Sequence, residues 1–142
     1  MSEHETEMAG WPMPRQGSFC WTEIASNDAE RCKAFYSNVF GWKFSSSGNA
    51  GEGEMDYQEF STTGEHPVGG LYQIDPKWFG GTAPPPHFMT YIAVDDVDEN
   101  ARMAAELGAK IHNGPLDIPN VGRMCVMEDP TGAKFCTFQM KN

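Results

Sequence analysis

The chain has 142 residues, with 20 Asp and Glu against 10 Lys and Arg and a formal net charge of −10. That balance argues against nucleic acid or anionic membranes as partners, because phosphate-rich surfaces need a basic face. The length suits one compact domain or two small modules sharing a core, and no stretch approaches the roughly 20 apolar residues that span a bilayer.

Residues 1–16 are polar, acidic and interrupted by Pro12 and Pro14. They lack the basic start and apolar centre of a secretory signal, and read as a flexible arm of a cytoplasmic protein. A first module is expected over residues 17–75. Its opening strand runs about Ser18 to Ala25, and Asn27, with Glu30 three residues on, offers a capping-box start to a helix. Ala29, Cys32, Phe35, Tyr36, Val39 and Phe40 recur at spacings of three and four and predict the buried face of that helix. Gly41 can take the left-handed conformation that ends it. A strand starts at Trp42, a Ser- and Gly-rich loop covers 45–54, and further strands are expected near 55–61 and 68–74.

Residues 76–86 join the halves. Pro76, Gly80, Gly81 and Pro84 to Pro86 exclude regular structure there. Trp78 and Phe79 lie within this linker, and aromatic side chains so placed need cover. Two readings stand: a lid over a binding cleft, or a patch buried in a dimer interface.

A second module, 87–142, repeats the order. A strand over 87–94 leads to a helix capped by Asp95 that buries Val97, Ala101, Ala104 and Leu107 and ends at Gly108. A strand over 109–112, a long loop from Gly114 to Gly122, and strands over 123–128 and 133–140 complete it. Asp129-Pro130-Thr131-Gly132 is a strong turn signal between the last two. The duplication is visible directly: Thr22-Glu23-Ile24-Ala25 returns as Thr90-Tyr91-Ile92-Ala93, 68 positions later. Cys20, Cys32, Cys125 and Cys136 show no C-x-x-C spacing and read as free thiols of a reducing compartment.

The repeated β-α-β-β-β order, with Ala34-Phe35-Tyr36 before Phe40-Gly41-Trp42, then Val94-Asp95-Asp96-Val97-Asp98 and Glu128-Asp129-Pro130-Thr131-Gly132, resembles the glyoxalase / bleomycin-resistance / extradiol-dioxygenase (vicinal oxygen chelate) superfamily. The resemblance covers about residues 17–140, and Asp117 to Arg123 fits a single-cleft glyoxalase-like subgroup. It implies an α+β fold, in which two tandem modules form a curved eight-stranded sheet around one cleft with the helices outside. It also implies a homodimer.

Catalytic members of that superfamily hold one divalent ion between the first and last strands of each module, using three or four His, Glu or Gln side chains. Carried over one at a time, those positions fall here on Trp21, on Gly70 or Leu71, on Met89 and on Cys136. Trp and Leu cannot ligate, Met is too soft for such ions, and a single thiol does not make a site. No metal and no cofactor is therefore expected. Strand alternation adds Glu23, His87, Tyr91 and Phe138 to the same face. With Trp78 and Phe79 these compose a candidate pocket for a small apolar or aromatic ligand.

Each residue also has a plainer reading. Trp21 is equally at home in the core, Glu23 in a rim salt bridge, and His87 as a polar residue after a proline run. The alternative function is a metal-dependent isomerase or lyase of the glyoxalase type acting on a small carbonyl compound, with Glu23 and His87 in a displaced metal site. A third possibility is an interaction module whose cleft is filled by its own side chains.

Overall fold

The computed structural model describes residues 14–46 and 57–141, apart from the side chains of Trp78 and Phe79. Most of the arm 1–16 and of the loop 45–54 lies outside the described residues, as does the start of the strand expected near 55.

In the first module β1 (Phe19–Ser26) leads to α1 (Ala29–Phe40), then β2 (Lys43–Ser46), β3 (Tyr57–Ser61) and β4 (Gly69–Gln73). In the second, β5 (His87–Ala93) leads to α2 (Val97–Glu106), then β6 (Lys110–Ile118), β7 (Gly122–Glu128) and β8 (Lys134–Met140). The strands form one curved, unclosed sheet in the order β2-β3-β4-β1-β5-β8-β7-β6. Within each module the first and last strands run parallel, β1 with β4 and β5 with β8. The modules meet where β1 and β5 pair antiparallel at the centre. Among the described residues no helix is long and apolar enough to cross a membrane.

Both helices lie on one face of the sheet. Under α1, Ile24, Phe60 and Leu71 form a buried cluster, with Ala29, Cys32 and Tyr36 packed against it. Trp42 stacks on Phe60, with ring centroids 4.7 Å apart and planes within 1°, and Tyr36 stacks on Trp42 at 4.8 Å. Under α2, Val94, Val97, Ala101, Cys125 and Met127 form the second cluster. Full burial of side chains such as Leu71 and Met127 contributes about 1.5–3 kcal/mol each.

Four expectations are corrected. Asp28, not Asn27, caps α1 by accepting from the Arg31 N–H. Asp96, not Asp95, caps α2, accepting from Asp98 and Glu99. Phe35, Val39, Phe40 and Leu107 are exposed, because α1 touches the sheet through a narrower stripe than its apolar periodicity covers, and Leu107 lies beyond the packed turns of α2. The loop expected after Gly114 is instead the second half of β6, which continues past Pro115 to Ile118. This is an edge strand with shifted register near Asn113, where a missing N–H is tolerated. The linker also holds one short 3-10 turn, Pro76–Phe79, capped by Asp75.

The Asp129 turn forms as expected. Its carboxylate accepts from the Thr131 and Ala133 N–H groups, and Gly132, at φ 102°, takes the left-handed position.

Candidate functional site

Pairing register decides which side chains share the face turned away from the helices. Glu23 stands opposite Gly70 on β4 and Met89 on β5, and Gly70 stands opposite Glu59 on β3. Trp21 stands opposite Tyr91, Tyr91 opposite Cys136, and Ala93 opposite Phe138. Alternation along each strand then places Trp21, Glu23, Tyr57, Gly70, Tyr72, His87, Met89, Tyr91, Cys136 and Phe138 on one inner face. Leu71 points the other way, into the core, so Gly70 occupies the fourth position carried over from the superfamily.

At the centre of this face is a polar cluster that crosses the junction of the modules. The Tyr57 hydroxyl donates to Glu23 Oε2 at 2.7 Å, and the Tyr91 hydroxyl donates to Glu23 Oε1 at 3.0 Å. The Trp21 indole N–H donates to the Tyr57 oxygen at 2.9 Å. The salt bridge expected of Glu23 is not formed: among the described residues its carboxylate meets tyrosine hydroxyls, and no Lys or Arg pairs with it. Tyr91 also meets Phe138 edge to face, with centroids 6.4 Å apart.

A glycine makes room for this arrangement. A Cβ on Gly70 would fall 1.9 Å from the Tyr57 hydroxyl, so the ring fills the volume that any other residue would occupy.

Burial raises the Glu23 carboxyl above its ordinary value, and the two tyrosine bonds and the positive form of His87 offset this only in part. The neighbours respond to the same charge. Tyr57 and Tyr91 are pushed up by burial and by Glu23, and Tyr72 is pushed up to about 12 by the same two causes. The Cys136 thiol, 2% exposed, is also pushed up to about 12 by burial and by Glu23. It is therefore protonated at neutral pH, the opposite of an activated nucleophile. His87 Nδ1 lies 2.8 Å from the Pro85 carbonyl.

These side chains do not fit a divalent ion. Trp21, Gly70, Met89 and a protonated Cys136 occupy the four carried-over positions, and the donors that share the face, Glu23, Glu59 and His87, are not gathered into a group that could hold an ion. Among the described residues no group of three or more His, Cys, Asp or Glu could hold a metal ion. His112, the other histidine of the second module, pairs with Glu128.

Tyr57 and Tyr72 were not anticipated from the sequence. Their signal was the two-residue alternation of β3 and β4, which brings them to the inner face once Gly70 is placed there. The side chains of Trp78 and Phe79 lie outside the described residues.

Comparison with known proteins agrees with this architecture. The family described as the Glyoxalase/Bleomycin resistance protein/Dioxygenase superfamily matches residues 18–137, and the chain belongs to it. Among curated relatives, "Putative glyoxylase CFP32" of Mycobacterium tuberculosis is 34% identical over 125 residues, covering 88% of this chain and 46% of the relative. "Anthracycline biosynthesis protein DnrV" of Streptomyces peucetius is 28% identical over 131 residues, covering 87% and 47%. The chain thus spans about half the length of the curated relatives it matches. Among solved structures, a selenomethionine methylmalonyl-CoA epimerase superposes with TM-score 0.61 at 18% identity, covering 92% of this chain and all of that one. The Mn(II)-bound glyoxalase from Novosphingobium aromaticivorans gives 0.59 at 22%, covering 89% of this chain and 40% of that one. At such identities the likeness is one of fold.

Proposed function

We propose that this chain binds a small apolar or aromatic molecule on the inner face of its sheet, across the module junction, without a metal ion. Trp21, Glu23, Tyr57, Tyr72, His87, Met89, Tyr91, Cys136 and Phe138, which share that face, would supply the contacts. The carrying observation is the set at the four carried-over positions: an indole, a glycine, a thioether and a protonated thiol. Such a lining suits an organic body held by a few polar groups. A relative named for anthracycline biosynthesis supports an aromatic ligand. The linker with Trp78 and Phe79 would close over the site as a lid.

A probe titration followed by NMR tests this. With naphthylethanol added, the Trp21 indole N–H and the Met89 methyl signal are expected to shift together and saturably, while the Met127 methyl, in the core under α2, stays still. Perturbation spread over the helix face, or none anywhere, would contradict the reading.

A second reading, a metal-dependent isomerase or lyase acting on a small carbonyl compound, draws on the relatives named glyoxylase and on Glu23 as a carboxyl placed to accept a proton. It stands or falls with a bound divalent ion. A homodimer is supported by the apolar surface of Phe35, Val39, Phe40 and Phe88 beside α1, and sedimentation as a monomer at micromolar concentration would count against it.

A further inference from the structure

Glu23 combines three features that a purely apolar ligand does not use. Its carboxyl stands at the middle of the inner face, held by hydroxyls from both modules. No Lys or Arg among the described residues pairs with it. Five aromatic side chains share its face, Trp21, Tyr57, Tyr72, Tyr91 and Phe138, together with His87, Met89, Cys136 and, beyond Gly70, Glu59.

The two tyrosine bonds use about half of the roughly four lone-pair directions of a carboxylate. Around it on the face stand tyrosine hydroxyls, aromatic rings, the Cys136 thiol, the Met89 thioether and His87, with Glu59 two strands away beyond Gly70. A divalent ion needs its hard donors gathered into one group, and Glu23, Glu59 and His87 are not. An anion would be repelled, both locally and by the net charge of −10. A monovalent organic cation needs one carboxylate oxygen for its N–H and aromatic rings for its charge and its body, and this face provides both.

From this geometry we infer that the ligand of the inner face carries a basic nitrogen, a protonated amine on an aromatic or apolar body, whose N–H pairs with Glu23 between Tyr57 and Tyr91. The inference rests on the inner face being a ligand site and adds the ligand's charge and the atom that reads it. Burial then has a use: an unpaired carboxyl that is costly to ionise when empty is repaid when the cation arrives, which converts charge into selectivity.

The surroundings fix how proton uptake follows. The titratable groups facing Glu23 are Tyr57 on β3, Tyr72 on β4, His87 and Tyr91 on β5 and Cys136 on β8, with Glu59 beside Tyr57. The tyrosines and the thiol are held protonated, so they supply hydrogen bonds rather than charge. The positive form of His87 favours the ionised carboxyl and competes with an incoming cation. Amine binding must therefore pull the Glu23 carboxyl towards ionisation.

The test compares three probes of one skeleton at about 0.15 M salt: naphthylethylamine, naphthylethanol and naphthylacetate. The amine is expected to bind the wild-type chain at least about tenfold more tightly than the alcohol, with the acetate weakest. Glu23→Gln is expected to bring the amine and alcohol affinities together, so that their ratio falls from at least about tenfold to about one. A wild-type measurement guards against misfolding of the variant: the titration midpoint of the Glu23 carboxyl carbon, read by NMR, should fall when the amine saturates the site and stay put with the alcohol. Equal binding of amine and alcohol would overturn the inference while leaving the pocket standing. So would a preference surviving in Glu23→Gln, or a midpoint unmoved by the amine. If no probe shifts the Trp21 and Met89 signals, the ligand-site reading fails and this inference fails with it.

Discussion

Gly69→Ala is expected to destabilise the chain by about 3 kcal/mol, as read from urea unfolding. A Cβ at this position would fall 2.0 Å from the Thr22 carbonyl oxygen and 2.4 Å from the Phe60 ring. The oxygen belongs to the backbone of β1, which pairs with β4 at Thr22 and Gly69, and it cannot rotate aside. Phe60 is 2% exposed inside the cluster under α1. Relief therefore requires the strands to part at the centre of the first module.

The neighbouring Gly70→Ala differs in kind. Its Cβ meets the Tyr57 hydroxyl, the far end of a side chain, so the ring can swing away. The cost is the Tyr57–Glu23 and Trp21–Tyr57 hydrogen bonds, about 1–3 kcal/mol, together with the shape of the site. Gly69→Ala within about 0.5 kcal/mol of wild type would mean that β1 and β4 leave room for a methyl group between Thr22 and Phe60.

Glu23→Gln is expected to change stability in a pH-dependent way, with a sign set by burial. The carboxyl is raised above its ordinary 4.5 in the folded chain. A raised group holds its proton more tightly when folded. Its support of the fold is therefore complete below about pH 4.5 and is lost as pH climbs through the folded-state value. Glutamine has nearly the same shape and stays neutral throughout.

The variant should thus match wild type in acid and become the more stable of the two on the alkaline side. Parallel urea melts from about pH 4 to about pH 8 give the comparison. A difference that stays flat, or wild type gaining the advantage as pH rises, would show that folding favours the charged carboxyl. A carboxyl that costs stability at neutral pH and makes no structural ion pair is the kind of group that a ligand site retains.

Much of the architecture was legible because duplication repeats its own punctuation. The 68-residue offset aligned Trp21 with Met89, and both reach the inner face. The offset could not show that β1 and β5 run antiparallel, so that Met89 faces Glu23 and Tyr91 faces Trp21. Helix caps were one residue out in both modules, since Asn27-Asp28 and Asp95-Asp96 each offer two adjacent acceptors and only backbone geometry chooses between them. Periodicity marked the apolar side of α1 but not how much of it the sheet would cover, which depends on the Tyr36–Trp42–Phe60 stack.

The make-up of the inner face was legible in part. Alternation from the carried-over positions reached Glu23, His87, Tyr91 and Phe138. Of the residues that define the Glu23 environment, Gly70 was reached only as one of two alternatives with Leu71 and Tyr57 was missed, because the register of β3 and β4 depends on long-range pairing. An acidic residue near an aromatic sequence looks the same whether it ends in a salt bridge or between two tyrosine hydroxyls.

The inner face, with Trp21, Gly70, Met89 and Cys136 at the positions carried over from the superfamily, suits an organic ligand rather than an ion. Calorimetric titration of the purified chain with Mn2+, Ni2+ and Zn2+ distinguishes the two. No site tighter than about 1 mM is expected for any of the three. Stoichiometric micromolar binding that disappears in Glu23→Gln would place a metal at the centre of the sheet and contradict it.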